Sequence, residues 1–185
     1  MAASPLIDVS DSVLVLIDMQ PSLVPLIIDH EAVIDAQRRL IAVARDLAVP
    51  ILVTEQYPSG LGTTIPPLVE ALGDAYRPLD KMSFSAWGDE TFRHALAATN
   101  RHTPVLVGIE SHICVCQTAL EAAAAGYDVH VVPDAISARN EDGRRFGVER
   151  MQRYGIPFDT REMVIYQWLR RAGTPAFKQA LKHVK

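Results

Sequence analysis

Apolar residues along this chain gather into short continuous runs separated by amphipathic stretches. Ser12-Val13-Leu14-Val15-Leu16-Ile17 is unbroken and stops abruptly at a carboxylate, Asp18. A run without polar alternation is what a strand covered on both faces requires. Runs of the same form occupy 49–54, 103–109 and 127–132, and a fifth, Glu162-Met163-Val164-Ile165-Tyr166, completes the expected strands. Between them, residues 31–48 place Val33, Ile34, Leu40, Ile41, Ala44 and Leu47 at the spacing of one buried helical stripe. Residues 112–125 are rich in Ala and end at Gly126, which predicts a helix with a glycine C-cap. Residues 141–154 read as an exposed helix, and 175–184 as a short helix with Pro175 near its start. Strand alternating with helix predicts an α/β fold, its parallel sheet covered on both faces. The stretch 55–67, rich in Gly and Pro, is the longest expected loop; it follows a strand, where such folds build their sites.

Length and composition narrow the class. A chain of 185 residues is expected to form one domain, spanning 1–185, with a substantial core. Hydrophobic residues at 49% and charged residues at 22% exclude a disordered chain. A net charge of −4 with scattered His offers no electrostatic footprint for nucleic acid, so a small-molecule substrate is expected instead. Cys114 and Cys116 stand one residue apart, too close for disulfide geometry, which points to a reducing, cytoplasmic setting. Met1–Ser12 carries Asp8 and Asp11 and no basic region, unlike a signal peptide. No apolar run approaches the ~20 residues that span a bilayer, so no membrane association is expected.

In open parallel sheets, ligands bind beyond the carboxyl ends of the strands. Asp18, Lys81 (after Arg77-Pro78-Leu79-Asp80) and Cys114 fall near such ends. Cys114 opens an expected helix, where unpaired N–H groups and the helix dipole favour a thiolate and lower the thiol's pKa. The bland alternative is a small buried hydrophobe. Cys116 lies about 200° around the helix at ~100° per residue, so the two thiols face different ways. A Cys-x-Cys zinc site lacks a partner cluster, and no metal or cofactor is expected. Asp18 ends a strongly apolar strand, where desolvation raises a carboxylate's pKa toward that of a general base. An Asp there also serves as a cap or turn residue, and a lone Lys in a loop is ordinarily solvated. No Gly-x-Gly-x-x-Gly follows the first strand and no Gly-Lys-Ser/Thr loop occurs, which argues against a nucleotide-binding fold.

Three blocks carry a resemblance. Val13-Leu14-Val15-Leu16-Ile17-Asp18-Met19-Gln20, Asp80-Lys81-Met82-Ser83-Phe84-Ser85-Ala86 and Gly108-Ile109-Glu110-Ser111-His112-Ile113-Cys114-Val115 resemble the signature blocks of the isochorismatase-like cysteine hydrolases. Tyr127–Arg139 is similar to a fourth block, and Thr54–Gly62 looks most like the isochorismatase domain-containing proteins. The resemblance spans roughly 12–170 and implies a doubly wound, Rossmann-like fold around a six-stranded parallel sheet. It also implies roles: Asp18 as general base, Cys114 as nucleophile, Lys81 as electrostatic partner. A cis Ile109–Glu110 peptide, turning the N–H groups of Glu110 and Cys114 toward an oxyanion, is implied as well. So is a homo-oligomer.

Two departures shape the expectation. Nicotinamidases of the superfamily hold a metal through an Asp-x-His motif where this chain reads Glu55-Gln56-Tyr57-Pro58. True isochorismatases lack a cysteine at the position of Cys114, so its presence favours acyl chemistry. The expected function is hydrolysis of a small amide, ureide or related acyl compound through a thioester. Vinyl ether hydrolysis and a catalytically idle scaffold are the alternatives. Gln20, Leu23, Gln56, Tyr57, Phe84, Trp87, Glu110 and Ile113 lie in the loops expected to cap the site. For Phe84 and Trp87, core packing is an equal reading.

Overall fold

β1 (Ser12–Ile17) is buried at every position, and its pleat divides the core in two. Val13, Val15 and Ile17 face one layer of helices, while Leu14 and Leu16 face the other. The computed structural model describes residues 6–184; Met1–Pro5 and Lys185, with the expectations placed on them, lie outside the described residues. Beside β1 lie β2 (Ile51–Gln56), β3 (Pro78–Lys81), β4 (Thr103–Ile109) and β5 (His130–Ser137). Every pairing is parallel, and the strand order is β3-β2-β1-β4-β5. One face carries α1 (His30–Asp46), α3 (Pro66–Leu72), α7 (Arg161–Leu169) and α8 (Pro175–Val184). The other carries α4 (Glu90–Ala98), α5 (Cys114–Ala124) and α6 (Glu141–Arg153). A one-turn helix, α2 (Pro58–Leu61), follows β2. The fold is doubly wound α/β.

Two expectations require correction. The run 162–166 is not a strand but the first half of α7. Thr160 caps that helix by accepting a hydrogen bond from the Met163 N–H, and Val164, Ile165, Trp168 and Leu169 are buried at helical spacing. The sheet accordingly has five strands among the described residues rather than six. A single parallel bridge, Val131 with Phe158, occupies the sixth position. Pro157 has no N–H to extend that ladder on one side, and the chain turns into the α7 cap on the other. In the stretch 55–67, Gln56 still belongs to β2, and α2 and the first residues of α3 take up much of the remainder.

Where the site is built, β4 leaves no room for a side chain against β1. Gly108 is paired with Ile17, at φ 121°, and a Cβ there would lie 2.1 Å from the Ile17 carbonyl oxygen. Only glycine fits. The chain winds outward from β1 through β2 to β3, then returns to β4 on β1's other side. This reversal opens the crevice in which doubly wound folds bind ligands.

Candidate active site

Asp18 leaves β1 in the left-handed region, at φ 54°, and its side chain is wholly buried. Parallel register sets Thr54 of β2 beside Ile17, and Thr54 Oγ1 donates a 2.7 Å hydrogen bond to Asp18 Oδ1. Lys81 is the last residue of β3, two strands away, and its side chain reaches across β2 to place Nζ 2.7 Å from Asp18 Oδ2. Cys114 is the first residue of α5, beyond the end of β4, and its thiol lies close enough to the Asp18 and Lys81 side chains for both to act on its ionisation. Three strand ends thus deliver a carboxylate, an ammonium and a thiol to one buried point.

The electrostatics follow from that burial. Desolvation, the largest effect, raises the pKa of Asp18, and the attraction of Lys81 and the hydrogen bonds from Lys81, Thr54 and Cys114 oppose it. Burial, joined by the neighbouring Asp18 charge, pushes the Cys114 thiol up to about 12, and Lys81 only partly offsets this. This reverses the lowered pKa expected from the helix N-terminus alone. A thiol held this high carries little thiolate near neutral pH. Cys116 lies on the same helix, buried in the sheet-facing core with its thiol pKa also raised by burial.

The turn that presents Cys114 is held from both sides. The Ile109–Glu110 peptide is cis, and Ser111 N–H donates to the Ser137 carbonyl at 2.8 Å. The Glu110 carboxylate accepts from the backbone N–H and the Nε of Arg139, each at 3.0 Å. On the far side, α6 presents Gly147 to the turn; a Cβ there would lie 2.8 Å from both His112 Cα and the Ser111 carbonyl oxygen.

The other capping residues separate into four groups. Gln20 and Gln56 are buried beside Lys81, their amides engaged with protein atoms. Tyr57 and Phe84 touch the site through their backbones, with Tyr57 N–H donating to the Lys81 carbonyl and the Phe84 carbonyl accepting from Lys81 Nζ. The two residues are 48% and 59% exposed, so their side chains remain open to contact a ligand. Trp87 packs edge-on against Tyr127 at 5.4 Å and, like Ile113, lies against the core beneath α5. Leu23 packs against the opposite core. Thr54 was not singled out as a site residue from sequence, although strand register alone would have placed it beside Asp18.

Glu55, where nicotinamidases carry metal-binding residues, instead accepts from Thr64 and Tyr76, each Oε1 contact being 2.7 Å. Among the described residues no group of three His, Cys, Asp or Glu side chains is arranged to hold a metal. An open recess of about 650 Å³ between α1 and α8, lined by Arg38, Arg45, Gln179 and Lys182 among others, includes none of the three central residues. No described helix is long and apolar enough to cross a membrane.

Comparison with known proteins fits this geometry. The isochorismatase domain model matches residues 12–162, a span that includes every candidate site residue. Isochorismatase domain-containing protein 2 of Xenopus laevis is 37% identical over 171 residues, covering 92% of this chain and 82% of its own. The structure of MAR1 ribonuclease from Caenorhabditis elegans superposes with a TM-score of 0.90 at 36% identity, covering 97% of this chain and 92% of that one. The YcaC gene product of Escherichia coli, described as an octameric hydrolase of unknown specificity, gives a TM-score of 0.86 at 27% identity, over 92% and 85% of the two chains. Matched along nearly its whole length in both sequence and fold, this chain belongs to the isochorismatase family of hydrolases.

Proposed function

We propose that the protein hydrolyses a small amide, ureide or related acyl compound, with Cys114 as nucleophile, Asp18 as general base and Lys81 as the charge that holds that base. One observation carries this reading: the Asp18 carboxylate is buried between the Lys81 ammonium and the Cys114 thiol. As Cys114 Sγ adds to the substrate carbonyl, its proton passes to Asp18. The carbonyl oxygen becomes an oxyanion, which in this reading the N–H groups of Glu110 and Cys114 stabilise; those at the start of a helix have no intrahelical acceptor. Collapse breaks the C–N bond, Asp18 returns the proton to the departing nitrogen, and a thioester remains. Water, deprotonated by Asp18, then attacks the thioester and releases the acid and the thiol. The exposed rings of Tyr57 and Phe84 are proposed to contact the substrate.

Cys114→Ala should abolish turnover across a panel of small amides, and mass spectrometry should find a transient acyl adduct on Cys114 of the parent. Cys116→Ala should leave turnover largely intact. Equal losses in the two variants would sink the assignment. The family match favours vinyl ether hydrolysis as a second reading, recognised by activity that survives Cys114→Ala. RNA cleavage, named for the Caenorhabditis elegans relative, is not expected of a chain with net charge −4 and a buried reactive centre, so RNA incubated with the protein should stay intact. Self-association is proposed by analogy with the octameric Escherichia coli relative, and light scattering would test it.

A further inference from the structure

Lys81 is held by more than Asp18. Its Nζ donates to Gln56 Oε1, to the Ser83 carbonyl at 3.2 Å and to the Phe84 carbonyl at 3.1 Å. Four oxygens therefore surround an ammonium with three protons. No proton is left over for a substrate oxygen, so Lys81 works through its charge and its position.

Gln56 Oε1, like the Asp18 carboxylate held by Thr54, is aimed with the help of a second side chain. Register sets Gln56 of β2 directly beside Lys81 of β3. Gln20, just beyond β1, then clamps the Gln56 backbone reciprocally: Gln20 Oε1 accepts from the Gln56 N–H at 2.8 Å, and Gln20 Nε2 donates to the Gln56 carbonyl at 2.9 Å. The same Nε2 donates to the Gly62 carbonyl at 2.5 Å, tying in the loop after α2. Gln56 Nε2 is fixed in turn by the Met82 carbonyl at 3.0 Å, which orients Oε1 toward Nζ. A neutral acceptor is suited to this position, because a carboxylate would compete with Asp18 for the same cation.

We infer that Gln56 is a positioning residue, aimed by Gln20, whose carbonyl holds the Lys81 ammonium in line with Asp18 and Cys114. The two glutamines then act as one relay from β1 through β2 to β3, not as independent substrate contacts. This rests on the catalytic reading of Asp18, Lys81 and Cys114. Loosening Lys81 weakens the one charge that favours the Cys114 thiolate, so the thiol should become harder to ionise as well as slower to react.

The test is carbamidomethylation of Cys114 by iodoacetamide in a Cys116→Ala background, with the rate followed against pH and unfolding followed by circular dichroism. Gln56→Met should slow the reaction about tenfold at a given pH, displacing the log-rate line to higher pH by about one unit while the protein stays folded. Gln20→Met should act in the same direction and add little in the double variant, because both lie on one relay. Should Gln56→Met fail to fold, Gln20→Met reads the relay by itself. A line superimposed on the parent's, or additive losses in the two variants, would overturn the relay while leaving the triad standing. If iodoacetamide instead reacts with Cys114 identically in the parent and in Lys81→Met, the triad reading fails and the relay fails with it.

Discussion

Asp18 and Lys81 form an ion pair at 2.7 Å with both side chains removed from water. Each charge is costly there without the other, because removing one partner leaves the other buried and uncompensated. Lys81→Met should therefore destabilise the fold by about 3–5 kcal/mol, while the double variant Asp18→Asn/Lys81→Met should recover most of that loss. The sign with pH follows from Asp18, whose folded pKa lies above the ordinary carboxylate value. The native state then binds a proton that the unfolded chain has released, so stability falls as pH rises through that window. Lys81→Met removes the opposing charge and should steepen the fall. Urea unfolding at about pH 5 and about pH 8 measures it, and equal losses at both would contradict the coupling.

The second prediction concerns the thiol. Burial and the Asp18 charge, in that order, push Cys114 up to about 12. Asp18→Asn removes the second cause and leaves the Lys81 ammonium facing the sulfur. The variant should alkylate faster than the parent at a given alkaline pH, with its profile moved to lower pH. It should nonetheless lose turnover, because no group remains to accept and return the proton. A profile that does not move, or moves upward, would show that Asp18 does not act on this thiol.

Much of this architecture is written in the sequence, and the omissions have physical causes. β1 and β4 are legible because strands buried on both faces must be apolar throughout. β3 is not, because as an edge strand of four residues, with Asp80 exposed, it needs no apolar run. Met163-Val164-Ile165-Tyr166 misleads because a short apolar run suits a strand or one turn of a buried helix, and only Thr160 and Trp168 on either side mark the helix. Asp18, Lys81 and Cys114 are legible through position at strand ends. The direction of the Cys114 shift is not, because it depends on desolvation and on Asp18's distance, and neither is carried by local sequence. The Gln20–Gln56 pairing likewise joins residues 36 apart and emerges only from strand register.

α6 supports a third prediction. Gly147 sits where a methyl group would meet backbone atoms of Ser111 and His112 at 2.8–2.9 Å, and backbone cannot rotate away as a side chain can. Gly147→Ala should cost about 1–3 kcal/mol by overpacking and should displace the turn that presents Cys114. Slower alkylation of Cys114 in folded protein is the expected readout. Unchanged reactivity would mean that the turn is held without α6.

The last prediction separates the fold from the site. His130 opens β5 at the end of the sheet opposite the triad, and its Nδ1 lies 2.7 Å from Asp159 Oδ2. Gln167 of α7 donates to Asp159 Oδ1 at 2.7 Å, while its own Oε1 accepts from the Ile7 N–H at 2.8 Å. Asp159 thus links β5, α7 and the segment leading into β1. Removing it leaves His130 and Gln167 with unsatisfied polar atoms in a largely buried place, at about 1–3 kcal/mol for each. Asp159→Ala should accordingly lower the midpoint of urea unfolding clearly. Because well-separated sites with no shared partner add independently, its Cys114 alkylation profile should match the parent's. A shifted profile would mean that the two ends of the sheet are coupled through β5, and that losses at the triad cannot be read as local chemistry.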